Sequence, residues 1–106
     1  MTGGIVMMEM RPVEIDGVWF QAVSMKLPKT NFMAVTNDVG YIMCGALDVG
    51  LLNEKLADRE IVAGRAVGVR SIEQLLDAPL ESITIAAEKL GIHEGMTGRE
   101  ALLKMK

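Results

Sequence analysis

Lys29, Thr30, Asn31, Cys44, Gly45, Arg65 and Arg70 carry most of the chemistry that this 106-residue chain offers. Cations and helix N–H groups beside a thiol stabilise negative charge and lower a cysteine pKa, so the set points to anion or thiolate chemistry. Cys44 is the candidate catalytic nucleophile, and the others are candidate ligand-binding residues. A bland reading competes with this one. A lone cysteine ending an apolar strand is commonly a packing residue, and Lys29 and Arg70 also read as solvated loop charges. Arg65 is harder to dismiss. In the run Gly64-Arg65-Ala66-Val67-Gly68 its guanidinium must find a carboxylate, a carbonyl or a ligand, and Asp48 is a possible partner.

Other chemistries lack their residues. The two glycines flanking Arg65 do not have the spacing of a dinucleotide fingerprint and do not open a helix. His93 has no cysteine, histidine or carboxylate at metal-ligand spacing, so no metal and no cofactor are expected. Ser-His-Asp elbows, paired-carboxylate signatures and Walker loops are missing from the sequence. A net charge of -3 with interspersed signs provides no basic stripe for a phosphate backbone. With four aromatics (Trp19, Phe20, Phe32, Tyr41) against nine methionines, base stacking is disfavoured too. No nucleic-acid partner is expected. Cys44 has no second cysteine to pair with, and the apolar start Ile5-Val6-Met7-Met8 is broken by Glu9 and Arg11. Export and membrane insertion are therefore disfavoured, and a cytoplasmic location is expected.

The elements that must position these residues follow from period and punctuation. One domain is expected over residues 1–106, with an N-terminal β-hairpin over 1–27 and a mixed sheet plus helices over 28–106. Ile5 to Ile15 reads as a strand, with Pro12 marking an edge or a bulge. Asp16-Gly17 makes a turn into the run Val18 to Leu27, where large apolar groups occupy odd and even positions alike. That hairpin is hydrophobic on both faces, so one face covers its own domain and the other wants a partner. Half of the residues are apolar, which is high for so short a chain and also suits an oligomer.

A second hairpin joins Phe32–Thr36 to Tyr41–Cys44 through a four-residue turn, pairing Thr36 with Tyr41 and Met33 with Cys44. From Gly45 the period changes to that of a helix running to about Arg59, with Leu47, Leu51, Leu52 and Leu56 on one face. Ile61 to Val69 reads as a buried strand, parallel to the Cys44 strand through a right-handed crossover. Three helices follow. The first opens at Ser71 with a capping box to Gln74, and the second starts at Pro79 and aligns Leu80, Ile83, Ala87 and Leu90. The third opens with a box from Thr97 to Glu100. This arrangement brings the Lys29–Asn31 loop, the Cys44–Gly45 junction and Arg70 to one rim of the sheet, where open sheets bind ligands.

The segments Leu27-Pro28-Lys29-Thr30-Asn31-Phe32, Gly40-Tyr41-Ile42-Met43-Cys44-Gly45-Ala46-Leu47-Asp48 and Ala63-Gly64-Arg65-Ala66-Val67-Gly68-Val69 resemble the YunC-like proteins. These are small bacterial and archaeal proteins of unknown function. The likeness runs from about residue 8 to the C-terminus and includes Gly95-Met96-Thr97-Gly98-Arg99-Glu100. It implies an α+β fold, a two-layer α/β sandwich, with an N-terminal β region used for tetramer formation. It implies no activity.

The leading expectation is thus a non-catalytic homo-oligomeric protein that binds a small ligand or a partner, a small anion being one possible ligand. The alternative is a small enzyme acting on an anionic metabolite through Cys44, with Lys29 and Arg70 as charge partners.

Overall fold

The computed structural model describes residues 8–27, 30–45, 49–54 and 57–105. Six strands form one sheet in sequence order: β1 Met8–Ile15, β2 Val18–Leu27, β3 Thr30–Thr36, β4 Gly40–Met43, β5 Val62–Arg65 and β6 Ser82–Ile83. β4 and β5 are parallel and every other neighbouring pair is antiparallel, so the sheet is mixed as expected. The helices are α1 Val49–Glu54, α2 Ile72–Asp77, α3 Ile85–Lys89 and α4 Gly98–Leu103, with a 3-10 turn at Ala57–Arg59. The fold is α+β.

Local chemistry explains the turns. Asp16 and Gly17 both have positive φ, 49° and 81°, which is the backbone of a two-residue hairpin turn matched to strand twist. In the β3–β4 turn, Asn37 Oδ1 accepts the N–H groups of Val39 and Gly40, at 2.9 and 3.1 Å. The Asn37 amide also donates to the Met105 carbonyl at 2.6 Å, which ties the last turn of the chain to this corner. Thr36 pairs with Tyr41, the register expected from the loop length.

Strand parity separates two faces. The inner face carries Ile15, Phe20, Ala22, Met33, Val35, Ile42 and Cys44, all in the main core with Ile72, Leu75, Leu76, Ala101 and Leu102 from α2 and α4. On the outer face, α1 covers only the β4–β5 end, where Val49 and Leu52 pack on Ala63, Tyr41 and Met43. Gly98 lets α4 seat closely: a Cβ there would lie 2.5 Å from the Leu75 carbonyl oxygen and 2.6 Å from Ile42 Cδ1.

Several expectations need correction. The helix expected from Pro79 does not form there. Pro79 makes an isolated bridge to Thr97, and Ser82–Ile83 adds a sixth strand by pairing with Gly64 and Arg65. Thr84 then starts α3, because its hydroxyl accepts from Ala63 N–H (3.1 Å) and Ala87 N–H (3.2 Å) and donates to the Ile61 carbonyl (2.6 Å). That hydroxyl serves strand and helix together, which a continuous helix would prevent. The helix expected from Gly45 to Arg59 is a six-residue α1 plus the 3-10 turn, with 46–48 and 55–56 outside the described residues. β5 stops at Arg65, short of Val69. The Thr97–Glu100 box is complete. At Ser71, however, Gln74 Oε1 accepts from Arg70 N–H at 2.8 Å, so only the Ser71 half of that box is made. Residues 5–7 of the expected first strand lie outside the described residues.

Candidate functional site

Of the expected site residues, Asn31 and Arg70 line one cleft and Cys44 bonds the Asn31 carbonyl beside it, but the sheet sets Arg65 on its other face. Asn31 and Cys44 share the inner face, because Asn31 lies two residues before Met33 and Cys44 two beyond Ile42. Arg65 has the parity of Ala63 and Met43 and belongs to the outer face. Lys29 lies outside the described residues, and Thr30 is described by its backbone, which opens β3 opposite Leu27.

Cys44 is 4% exposed. Its sulfur accepts from Met33 N–H at 3.4 Å and donates to the Asn31 carbonyl at 3.7 Å. A nucleophile needs an approach path, and this thiol is enclosed by packing, with its sulfur engaged by the backbone of Met33 and Asn31. The described part of the following helix begins at Val49, and 46–48 lie outside the described residues, as does Asp48 as a possible partner for Arg65.

Arg65 finds both of the partner types that its setting demanded. Nε and Nη2 donate to the Gly45 carbonyl at 3.3 and 3.1 Å, while Nη1 pairs with Glu81 Oε1 at 3.0 Å. Gly45 therefore contributes a carbonyl acceptor to an internal arginine clamp. Glu81 also accepts from Ser82 Oγ at 2.8 Å, so the clamp fastens the end of β4 to the strand that had been expected as helix.

Arg70 and Asn31 come together on the inner face, in a cleft of about 200 Å³ between the open end of β1–β3 and the start of α2. Register explains its sheet wall: Glu9, Ser24 and Met33 form one cross-strand row, and Lys26 and Asn31 form the next. The opposite wall is Arg70, Ser71, Ile72 and Glu73. Arg11 spans the two walls, donating through Nη2 to Glu73 Oε2 at 2.5 Å, with Glu9 Oε1 at 4.0 Å from its Nε. The Arg11 guanidinium hydrogen-bonded to Glu73 holds that carboxyl below the usual carboxylate range. Asn31 and Met33 line the cleft, whereas Cys44, bonded to the backbone of both, does not.

Arg11, Ser24, Lys26 and Glu73 were missing from the expected site. Their signal was available only in part: Glu9, Arg11, Ser24 and Lys26 alternate with apolar residues along a hairpin, but that pattern alone reads as a solvated face. What gives them a shared wall is α2, which begins at Ile72, far along the chain from that hairpin.

With that geometry in place, comparison with known proteins decides the family. Residues 43–105 match a domain of unknown function, DUF1805. The chain is 74% identical over 99 residues to the uncharacterized protein YunC of Bacillus subtilis strain 168, covering 93% of this chain and 98% of the relative. The chain belongs to the DUF1805 family. The expected YunC likeness is thereby shown. The fold recurs in the crystal structure of a protein of unknown function, TA1206, from Thermoplasma acidophilum, with a TM-score of 0.86 and 27% identity. That match covers 100% of this chain and 98% of the other. Neither protein's name carries an activity. No helix among the described residues is long and apolar enough to cross a membrane.

Proposed function

We propose that the protein works as a cytoplasmic homo-oligomer, a binding and interaction protein without thiol catalysis, whose copies meet through the outer face of β1–β3. The observation that carries this reading is the uncovered apolar strip on that face. Trp19 is 61% exposed, Met10 62% and Met8 53%, and Val23, Met25 and Phe32 share their parity. Contiguous apolar surface of this kind marks an interaction site, and a tryptophan among flexible methionines suits a packed contact.

A second copy is the occupant that fits best. The strip carries one charged residue on β1–β3, Glu14 opposite Trp19, so it offers little to select a charged partner. An isologous contact sets the same apolar rows against each other. The join is face to face. In a hairpin with a two-residue turn, Ile15 and Val18 are the first hydrogen-bonded pair, so Pro12 sits where a backbone donor would point off the sheet edge. Proline has no such donor, and β1 is interrupted as a template for another strand. A tetramer is the state that the YunC likeness implies.

Sedimentation of the full chain across the micromolar range tests the proposal. The expected result is a concentration-dependent assembly that Trp19→Asp converts to a folded monomer. A wild-type monomer throughout that range would overturn it.

A further inference from the structure

We infer that the inner-face cleft is a binding site for a small organic anion, with a carboxylate or phosphate head held between Lys26 and Arg70. This goes beyond the assembly reading and does not depend on it, because the cleft and the apolar strip lie on opposite faces of the same strands.

The charge arrangement leads. Three cations, Arg11, Lys26 and Arg70, and two carboxylates, Glu9 and Glu73, line the cleft, leaving one surplus positive charge in a chain of net charge -3. Both carboxylates approach Arg11, at 2.5 Å from Glu73 and 4.0 Å from Glu9. The side chains of Lys26 and Arg70 have no ion-pair partner among the described residues, yet they line one cleft from opposite walls. Two like charges focused on a recess raise the local potential, and an anion between them removes that repulsion.

The remaining lining supplies the rest of a ligand site. The Ser24 hydroxyl and the Asn31 amide have no hydrogen bond with another described residue and are placed to donate. Ser71 Oγ accepts from Gln74 N–H at 3.1 Å, which leaves its own hydrogen for a ligand oxygen. Met33 and Ile72, both buried, form an apolar floor that an inorganic ion would not use but a short carbon chain would. Size limits the choice. About 200 Å³ is below the roughly 300–1,000 Å³ of sites for drug-sized ligands, so a compact acid or phosphate ester fits and a nucleotide does not.

The probes are sodium phosphate and sodium succinate, titrated separately into isotopically labelled full-length protein at constant ionic strength, with amide shifts as the readout. Saturable shifts centred on Ser24, Asn31, Ser71 and Glu73 are expected in at least one arm. The arm that saturates at lower concentration identifies the head group. Lys26→Ala and Arg70→Ala should each weaken that binding about tenfold, the effect of losing one charge-assisted contact, without lowering the unfolding temperature. Both residues are exposed, so the variants should fold. Shifts that never saturate in either arm, that sodium chloride reproduces, or that persist unchanged in the doubly substituted protein would overturn the assignment. Loss of the assembly in Trp19→Asp with anion binding intact would leave this site standing, and the reverse outcome would leave the assembly reading standing.

Discussion

Arg11 and Glu73, sixty-two positions apart, clasp the sheet edge strand β1 to the first turn of α2 through a 2.5 Å hydrogen bond. This pair spans the cleft, and it also shifts a titration. Hydrogen bonding to Arg11 lowers the Glu73 pKa in the folded protein, so the pair favours folding above the ordinary carboxylate range and loses that contribution as the pH falls through the lowered value. Carboxyl NMR titration should find Glu73 below the ordinary glutamate range and should find it raised in Arg11→Gln, where only the hydrogen bond from its own backbone N–H still lowers it. An identical titration in both proteins would show that the clasp does not persist in solution. Glu73 is fully exposed, so the change in overall stability should be near zero.

Neighbouring residues of β2 should respond to very different degrees to the same substitution. Trp19 lies on the uncovered outer face, whereas Phe20 is 4% exposed in the main core. Phe20 therefore packs inside its own domain. Phe20→Ala should cost about 3–5 kcal/mol in denaturant unfolding, and Trp19→Ala far less per protomer. Equal losses at the two positions, measured on the dissociated protein, would contradict the division of the faces.

Cys44 should resist alkylation at every pH at which the protein stays folded, because its sulfur is packed and engaged by the backbone of Met33 and Asn31. Reaction should begin only with unfolding. Fast modification of the native protein near neutral pH would reinstate the thiol as a nucleophile.

Thr84 is 2% exposed and serves three backbone groups with one hydroxyl. Thr84→Val keeps the shape but leaves Ala63 N–H, Ala87 N–H and the Ile61 carbonyl without that partner. A loss of about 2–4 kcal/mol is expected from urea unfolding, larger than for an ordinary N-cap replacement. A loss below about 1 kcal/mol would mean that the backbone groups of β5 and α3 find other partners.

The parts of the fold that were legible before the structure are those set by short-range rules. Asp16-Gly17 marks the hairpin turn, the loop length sets Thr36 opposite Tyr41, and Thr97 with Glu100 marks the start of α4. The Pro79–Leu90 segment misled because Leu80, Ile83, Ala87 and Leu90 imitate one helical face, whereas Ser82–Ile83 is too short to display a strand period. Its true state depends on distant partners: Gly64 and Arg65, which pair with Ile83 and Ser82, and the Ile61 and Ala63 backbone groups that bond the Thr84 hydroxyl. Placing Cys44 beside Met33 and Asn31 was within reach of register arguments. Separating Arg65 from them needed the parity of β5 relative to β4, and the cleft needed α2 laid across three strands.

The two-sided character of β1–β3 has a consequence for any multimer joined through the outer face. Each recess on the inner face then points away from the join, and no copy completes the recess of another. Small anions should fill such an array with a hyperbolic saturation curve, while a partner displaying several acidic groups at matching spacing would gain avidity from engaging more than one copy.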